Sequence, residues 1–403
     1  MNILLALLLV VCQSEHSAHG DPAMYTLPAG KTTARIPMQF VASKVHLDAT
    51  IDGKGPFHLI LDTGMPIAGV LLFRNPGVEA LGLADSGAHV RVAGAGGDGK
   101  GSDAVMATGV ALALGELKIA GTSALLVPLP EGFPPGIDGV IGGALFFHYV
   151  VRIDVEHARV DLFESKGWTA PVGACSVPLL RENGKIFVDL RVAVGAGEPV
   201  PARVVVDSGA SHALSLNTRA DGTFAPPAKT IEAPLGRGLS GILLGKEGRV
   251  RRLEFGSFAF DEVLTSFPVA AHQQPGGEQF HDGNLGMGVL LRFVATFDYA
   301  GERLLLEKAA GFDAAFETEM AGLALDWSKD GAVLVHSVLA GSPAAGAGIE
   351  AGDRLLSIDG HTIAELGEQG LHAALRQEGA ELKLVLQRGE QKLERNLRLK
   401  RLV

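Results

Sequence analysis

The sequence predicts a mostly β protein of several domains, and three observations lead to this prediction. Glycine accounts for 53 of the 403 residues, and short runs of valine, leucine and isoleucine are broken by glycine and proline, as in β-rich folds. The chain is longer than the size at which one hydrophobic core usually stops growing. A motif in the first three hundred residues also occurs twice, which divides that part of the chain into two similar halves.

Composition and charge exclude two broad classes of protein. Hydrophobic residues make up 47% of the chain and charged residues 20%, which is too apolar for an intrinsically disordered protein. The 35 lysines and arginines are outnumbered by 45 aspartates and glutamates, and no long basic run is present to neutralise phosphates. We therefore expect folded domains and no binding to nucleic acid.

The N-terminus is typical of an exported protein. Residues 3–11 form a short apolar run, and small residues precede a plausible cleavage point after Gly20, so residues 1–20 are predicted to be a signal peptide. The run is about half of the roughly 20 residues that a membrane span needs, so we expect no transmembrane span. Cys12 leaves lipid attachment as an alternative, although Val11 is larger than the residue such signals prefer. The expected location is the periplasm or cell envelope of a bacterium.

Two matched motifs define the repeat. Residues 59–64, Leu-Ile-Leu-Asp-Thr-Gly, match residues 204–209, Val-Val-Val-Asp-Ser-Gly, at an offset of 145 positions. Residues 138–142, Asp-Gly-Val-Ile-Gly, match residues 282–286 at an offset of 144. Because the two offsets agree within one residue, we interpret the halves as a duplicated domain.

Strands are predicted throughout each half. Alternation and short apolar runs mark the strands of the first half, at 45–51, 57–61, His89–Ala93 and 109–119. A helical turn is expected at 143–148, followed by a hairpin of 150–155 with 159–163, and the second half repeats this plan. The predicted lobes are residues 36–165 and 178–309, joined by a linker at 166–177 that is rich in glycine and proline.

The two Asp turns predict a catalytic pair. An aspartate at the end of a buried apolar strand is costly to ionise unless hydrogen bonds or a partner compensate, so Asp62 and Asp207 require an explanation. If the two lobes pack about a pseudo-two-fold axis, the turns meet and the carboxyl groups share a proton. One carboxylate then activates a water as a general base while the protonated carboxyl group polarises a peptide carbonyl.

These residues resemble the active-site turns of retropepsin-like and pepsin-like aspartic peptidases, which read Asp-Thr/Ser-Gly after an apolar strand. The resemblance implies two retropepsin-like β lobes that form a pseudo-two-fold bilobal aspartic peptidase, with its active site inside one monomer. It implies that Asp62 and Asp207 are catalytic and that Thr63 and Ser208 hydrogen-bond between the turns. Gly64 and Gly209 complete the turn-support residues, because glycine lets backbone N–H groups approach the carboxylates closely. Met65 and Pro66 depart from the family pattern, which Ala210 and Ser211 follow, so crowding is expected in the first lobe.

A glycine-rich segment follows each Asp turn by about thirty residues. Residues 94–99 fit the G-x-G-x-x-G pattern of nucleotide loops, but no capped helix follows them, so we reject nucleotide binding. In the resembled family such hairpins are flaps that close over the peptide, and a plain mobile loop is the alternative. The candidate flap residues are Gly96, Gly97, Gly99, Gly238, Ser240 and Gly241.

No metal or cofactor is expected. His-Glu-x-x-His and Cys-x-x-Cys are absent from the sequence, and the 13 histidines are scattered. His148, His212 and His281 lie near the motifs, but isolated histidines are usually surface or packing residues, and none is assigned a role.

The repeat ends near Lys308, and a different module follows. Residues 342–360 run from Ser-Pro-Ala-Ala-Gly to Ile-Asp-Gly, and they resemble PDZ domains of the bacterial envelope-protease type over residues 318–402. Strands are predicted at Val333–Val338 and Arg354–Ile358. The resemblance implies a small α+β PDZ domain, with a helix at 370–377 that has Leu371 and Leu375 on one face. In that family a loop turns its backbone N–H groups towards the terminal carboxylate of a peptide, which adds a strand beside it. The matching loop residues here are Gly322, Leu323, Ala324 and Leu325.

The sequence thus predicts an exported aspartic endopeptidase whose PDZ module binds polypeptide ends or strands. Water activation between Asp62 and Asp207 would hydrolyse the peptide bond, without a cofactor. The alternative is a non-catalytic exported peptide-binding scaffold with a degenerate peptidase fold.

Overall fold

The structure is a computed structural model that describes residues 10–12, 23–94, 101–129, 136–182, 184–269, 281–328 and 331–403. Within those ranges, no helix is both long enough and apolar enough to cross a membrane. The chain divides into two compact units: one contains Glu232–Ala314 and the described residues up to Ala228, and the other contains Ala315–Val403 with Lys229–Ile231. Most of the predicted signal peptide lies outside the described residues, so its assignment stays a prediction, as do the location and the domain boundaries.

The first repeat is a β lobe with two helical turns. One predicted strand is wrong: residues 109–119 contain a turn at Gly115, which divides them between two strands of a hairpin, because the apolar alternation continues on both sides of that turn. The elements are β1 Val10–Cys12, β2 Met24–Thr26, β3 Thr33–Val41, β4 Lys44–Ile51, β5 Lys54–Leu61, β6 Val70–Arg74, α1 Pro76–Glu79, β7 His89–Ala93, β8 Ser102–Leu114, β9 Leu117–Pro128, β10 Gly139–Ile141, α2 Gly143–Phe146, β11 Tyr149–Asp154 and β12 Arg159–Glu164.

The second repeat follows the same plan. The last residues of the predicted linker form part of its first strand, which pairs with the last strand of the repeat. The elements are β13 Cys175–Pro178, β14 Leu180–Glu182, β15 Lys185–Ala193, β16 Val200–Val206, β17 Leu214–Leu216, β18 Thr230–Gly238, β19 Gly241–Phe255, β20 Phe258–Pro268, β21 Gly283–Leu285, α3 Met287–Leu290, β22 Phe293–Asp298 and β23 Arg303–Lys308.

Equivalent strands of the two repeats pair with each other. β11 runs antiparallel to β22, and Arg152 lies opposite Thr296, its counterpart at the repeat offset of 144. Phe146 and Phe297 pack edge to face nearby, with ring centroids 5.3 Å apart. Within each repeat, the strand before the Asp turn runs parallel to the short strand of the second motif: β5 with β10, and β16 with β21. The duplication is therefore a pseudo-two-fold relation in space.

The glycines of the second motif are required by close backbone approach. A Cβ atom at Gly283 would lie 1.8 Å from the carbonyl oxygen of Ser215, and Gly283 has φ +151°, which other residues rarely adopt. In the first lobe, a Cβ atom at Gly139 would lie 2.1 Å from the carbonyl oxygen of Leu71. These contacts hold the short motif strands against their neighbours.

Gly283→Ala is expected to lower the free energy of unfolding by about 3 kcal/mol, because it adds both a backbone clash and a strained φ. Denaturant unfolding of the full chain measures the loss. Gly195→Ala is the control: among the described residues, no atom lies within 4 Å of the place its methyl group would take, and its φ is not positive. Equal stability of the two variants would contradict the prediction.

The unit Ala315–Val403 has the α+β architecture expected for its sequence. Its elements are β24 Leu323–Trp327, β25 Val333–Val338, α4 Pro343–Gly346, β26 Arg354–Ile358, β27 His361–Thr362, α5 Ile363–Ala374, β28 Glu381–Arg388 and β29 Gln391–Arg398, with the strand order β24-β25-β26-β28-β29 and β27 beside β26. The helix predicted at 370–377 is part of a longer segment. α5 begins at Ile363, where Thr362 and Glu365 form a capping box, is interrupted at Gly367 with φ +60°, and ends at Ala374. Leu371 and Leu375, predicted on one face, are both fully buried.

Candidate active site

Both Asp turns are anchored by the second motif of their own lobe. Asp62 directly follows β5, and its backbone N–H donates to the carbonyl of Ile141 at 2.9 Å. Asp207 directly follows β16 and donates in the same way to Leu285, also at 2.9 Å. The two motifs have the same spacing in both repeats because the aspartate of the first motif hydrogen-bonds to the second motif in each lobe.

Four hydrogen bonds join the two turns across the pseudo-two-fold axis. The backbone N–H of Thr63 donates to Ser208 Oγ at 3.0 Å, and the N–H of Ser208 donates to Thr63 Oγ1 at 2.9 Å. Each hydroxyl in turn donates to a carbonyl of the opposite lobe, Thr63 to Val206 at 2.7 Å and Ser208 to Leu61 at 2.9 Å. Since all of these groups are buried, the turns are held together without water.

The turns bring the two carboxyl groups together. The N–H of Gly64 donates to Asp62 Oδ1 at 2.6 Å, and the amide of Asn284 donates to Asp207 Oδ2 at 3.3 Å. A Cβ atom at Gly209 would lie 2.5 Å from Asp62 Cγ, so only glycine lets the carboxyl group of the opposite lobe lie here. Asp62 Oδ2 and Asp207 Oδ1 are buried without another hydrogen-bond partner among the described residues, and a proton shared between the two carboxyl groups would satisfy both.

Electrostatics favours sharing one proton between the two groups. Burial, followed by the charge of Asp207, raises the pKa of Asp62 well above its usual value. Burial raises the pKa of Asp207 to about 7, and this rise is opposed by Lys44, by the N–H groups of Gly209 and Ala210, and by the hydrogen bond from Asp62. The pair therefore titrates as a unit that holds one proton, and the cation and N–H groups near Asp207 favour its charged form.

Neither carboxyl group is exposed in this conformation, since both residues are 0% exposed. Of the candidate flap residues, Gly238 and Gly241 flank the turn between β18 and β19, and Ser240 lies in that turn. The Ser240 hydroxyl accepts from the N–H of Gly94, just after β7, at 3.2 Å. Gly96, Gly97 and Gly99 lie outside the described residues. The two flap candidates thus meet, and the flap assignment stays a prediction.

The departure at Met65 and Pro66 leaves the backbone of the first turn unchanged. Met65 accepts from the N–H of Gly143 at 2.9 Å, as Ala210 accepts from Met287 at 2.8 Å in the second lobe. Met65 is buried, so the larger side chain is accommodated in the core of its own lobe.

Several polar residues near the pair were not found by sequence reasoning. Lys44 is the first residue of β4, and Lys185 is the first residue of β15. Asn284 donates a hydrogen bond to Asp207. Burial, followed by the charge of Asp62, raises the pKa of Tyr299. His212, which received no role, is buried with Nε2 unpartnered among the described residues, and burial lowers its pKa to about 4. A lysine at the first position of an apolar strand in both repeats was the one available signal.

The predicted peptide-binding loop lies at the start of β24. Gly322 has φ +77°, and a Cβ atom there would lie 2.2 Å from the Ser342 side chain, so the sharp turn requires glycine. Leu323 and Leu325 are buried in the core of this unit, and Ala324 between them is half-buried. Among the described strands of this unit, β24 is the first in the sheet order and pairs with β25.

Two family models match the chain. Residues 47–145 match the model described as aspartyl protease, and residues 334–388 match the model described as PDZ domain. No curated protein matches the chain. Similar solved structures include an aspartic proteinase from Irpex lacteus, at 12% identity over 70% of this chain and 99% of that one, and basic 7S globulin from soybean, at 9% identity over 69% and 95%; the TM-score is 0.42 for both. The chain is therefore similar to the aspartyl protease family over residues 47–145 and to PDZ domains over residues 334–388, and its fold is mostly β.

Proposed function

We propose that this protein is an aspartic endopeptidase, an enzyme that hydrolyses peptide bonds, and that one copy of the chain forms its whole active site. One observation carries the proposal: Asp62 and Asp207 come from equivalent turns of a duplicated domain that hydrogen-bond to each other, and each buried carboxyl group has one oxygen without another partner among the described residues. Burial raises the pKa of both groups, which favours one shared proton. This is the protonation state that water activation by a carboxyl pair requires.

The reaction begins with Asp62 protonated and Asp207 ionised. Asp207 accepts a proton from a water molecule while the water oxygen forms a bond to the peptide carbonyl carbon, and Asp62 passes its proton to the carbonyl oxygen. In the second step, Asp207 returns its proton to the nitrogen as the C–N bond breaks, and Asp62 recovers a proton from one hydroxyl group of the intermediate. The products are a carboxylic acid and an amine, and the pair returns to its first protonation state.

The substrates in this proposal are polypeptides of the compartment to which the protein is exported. The PDZ domain binds polypeptide ends or strands beside β24, the terminal strand of its sheet, since an extended peptide adds to a sheet edge through its main chain. Binding to the PDZ domain raises the effective concentration of a substrate at the carboxyl pair of the same chain. The active site needs one copy of the chain, because both Asp turns are present in it.

A non-catalytic peptide-binding scaffold is the second candidate, and one observation favours it. Both carboxyl groups are fully buried in the described conformation, so a peptide reaches them only after covering groups move. In a scaffold the pair would serve to hold the lobes together.

The proposal is tested by incubating an unfolded protein substrate with the full chain from pH 4 to pH 8 and identifying the fragments by mass spectrometry. We expect discrete fragments from the wild type and none from Asp62→Asn. Asp189→Asn, an exposed aspartate of the second lobe that pairs with Arg203, is the control and should cleave normally. Binding of the substrate without fragments from any form would select the scaffold, and fragments from Asp62→Asn would refute the assignment.

A further inference from the structure

A buried lysine faces the carboxyl pair. Lys44 is 2% exposed, and its ammonium group donates a hydrogen bond to Ser211 Oγ, in the turn that follows Asp207. Ser211 in turn donates to the carbonyl of Ala42 at 3.0 Å. The hairpin between β3 and β4 of the first lobe is therefore tied to the active-site turn of the second lobe.

The position of Lys44 is repeated in the second lobe. In the pairing of β4 with β5, His46 lies opposite Ile60, so continuing the register by two residues puts Lys44 opposite Asp62. In the pairing of β15 with β16, Phe187 lies opposite Val205, and the same step puts Lys185 opposite Asp207. Each lobe thus sets a lysine opposite its own aspartate in strand register.

The two lysines differ because the turns that receive them differ. Ser211 offers a hydroxyl group to Lys44, whereas the equivalent residue of the first turn is Pro66, which has no side-chain hydrogen-bonding group. Pro66 instead packs against Gly184, next to Lys185. Lys185 is half-buried, while Lys44 is enclosed. The departure from the family pattern at Pro66 thus makes the site asymmetric.

The negative charges that act on Lys44 are those of the carboxyl pair, which we interpret as its counter-ion. Its charge interacts with Asp207 and Asp62, and with the imidazoles of the half-buried His46 and the buried His212. Burial, followed by the charge of Lys44, lowers the pKa of both histidines to about 4, so they are neutral at neutral pH. Burial lowers the pKa of Lys44 itself to about 7, and the two aspartates oppose that shift.

We propose that Lys44 is the resident cation of the active site, which keeps one carboxyl group of the Asp62–Asp207 pair ionised although both are buried. It is a positioning residue: it acts through the pair and is not assigned contact with substrate. Its effect on the rate of hydrolysis rests on the proposed function, whereas its coupling to the aspartates does not.

The first test is the pH dependence of kcat/KM for Lys44→Met, an uncharged side chain of similar length. Removing the cation raises the pKa of Asp207, so the acidic limb of the profile should move to higher pH by roughly one unit. Lys185→Met, at the equivalent strand position, should move it less. Ser211→Ala keeps the charge and removes its fixed partner, so it should lower the rate at the optimum with a smaller shift of the limb. An unshifted limb in an active Lys44→Met enzyme would overturn the proposal.

The second test needs no catalysis. In the full chain with isotope-labelled lysine, the NMR signal that disappears in Lys44→Met should titrate with a midpoint of about 7. In Asp207→Asn that midpoint should fall by roughly one further unit, because an opposing anion is lost. Coupled titration in a protein that cleaves nothing would reject the peptidase and retain the counter-ion role. An ordinary lysine midpoint, or one that Asp207→Asn leaves unchanged, would reject the counter-ion role.

Discussion

Asp207→Asn is expected to lose at least about 10³-fold in turnover and to make the folded protein more stable at neutral pH. The loss follows because an amide cannot accept the proton of the attacking water. The stability increases because burial raises the pKa of Asp207 from 3.8 to about 7. The ionised carboxyl group is therefore less stable in the folded chain than in the unfolded chain at neutral pH. The buried carboxyl pair therefore costs stability at neutral pH.

The sign of the pH dependence follows from that raised pKa. Below about pH 4 the carboxyl group is protonated in both the folded and the unfolded chain, and its contribution to stability is fully present. Between about pH 4 and pH 7 the folded chain holds a proton that the unfolded chain has released, so stability falls as pH rises. Asparagine does not titrate, so the free energy of unfolding of Asp207→Asn should exceed that of the wild type by an amount that grows across this window to the order of a few kcal/mol.

Thermal unfolding of the full chain between pH 4 and pH 8 measures this difference. Asp189→Asn again provides the control: its side chain is 61% exposed, and loss of its surface ion pair should change stability by less than about 1 kcal/mol at every pH. If Asp207→Asn and wild type gave parallel curves across the window, Asp207 would not have the raised pKa that the mechanism requires.

Ser208→Ala is expected to lower the free energy of unfolding by about 2 to 5 kcal/mol. It removes the hydroxyl that accepts from Thr63 and donates to Leu61, and leaves a buried N–H and a buried carbonyl without that partner. Because both partners belong to the opposite lobe, the variant also loosens the contact that holds the carboxyl pair, and turnover should fall with stability.

Denaturant unfolding and a peptide-cleavage assay on the same preparations check this prediction. Ser176→Ala, at an exposed serine of β13, is the control for the loss of a hydroxyl group and should stay close to wild type. Thr63→Ser keeps a hydroxyl in the equivalent position of the first turn, so it should cost less than Ser208→Ala. The reverse order would show that packing of the side chains, rather than the cross-lobe hydrogen bonds, dominates at this contact.

The sequence alone was sufficient for the class of fold and for the two families that parts of the chain resemble. The duplicated Asp turns and the second motif are short, contiguous patterns, and the strands of the PDZ domain follow local alternation, so their signals do not depend on distant residues. His89–Ala93, Val333–Val338 and Arg354–Ile358 were bounded correctly for this reason. The hairpin within 109–119 and the start of α5 were not, because one turn and one cap, rather than the apolar pattern, set those ends.

Tertiary structure alone decided the surroundings and accessibility of the carboxyl pair. Lys44 precedes Asp62 by 18 positions and Ser211 by 167, and only strand register and packing between lobes bring the three together. The same holds for Asn284, which takes the place that Val140 has in the first motif and contacts Asp207. Burial and charge at such a site are sums over residues distant in the chain, whereas a sequence pattern records only which residues are neighbours along it.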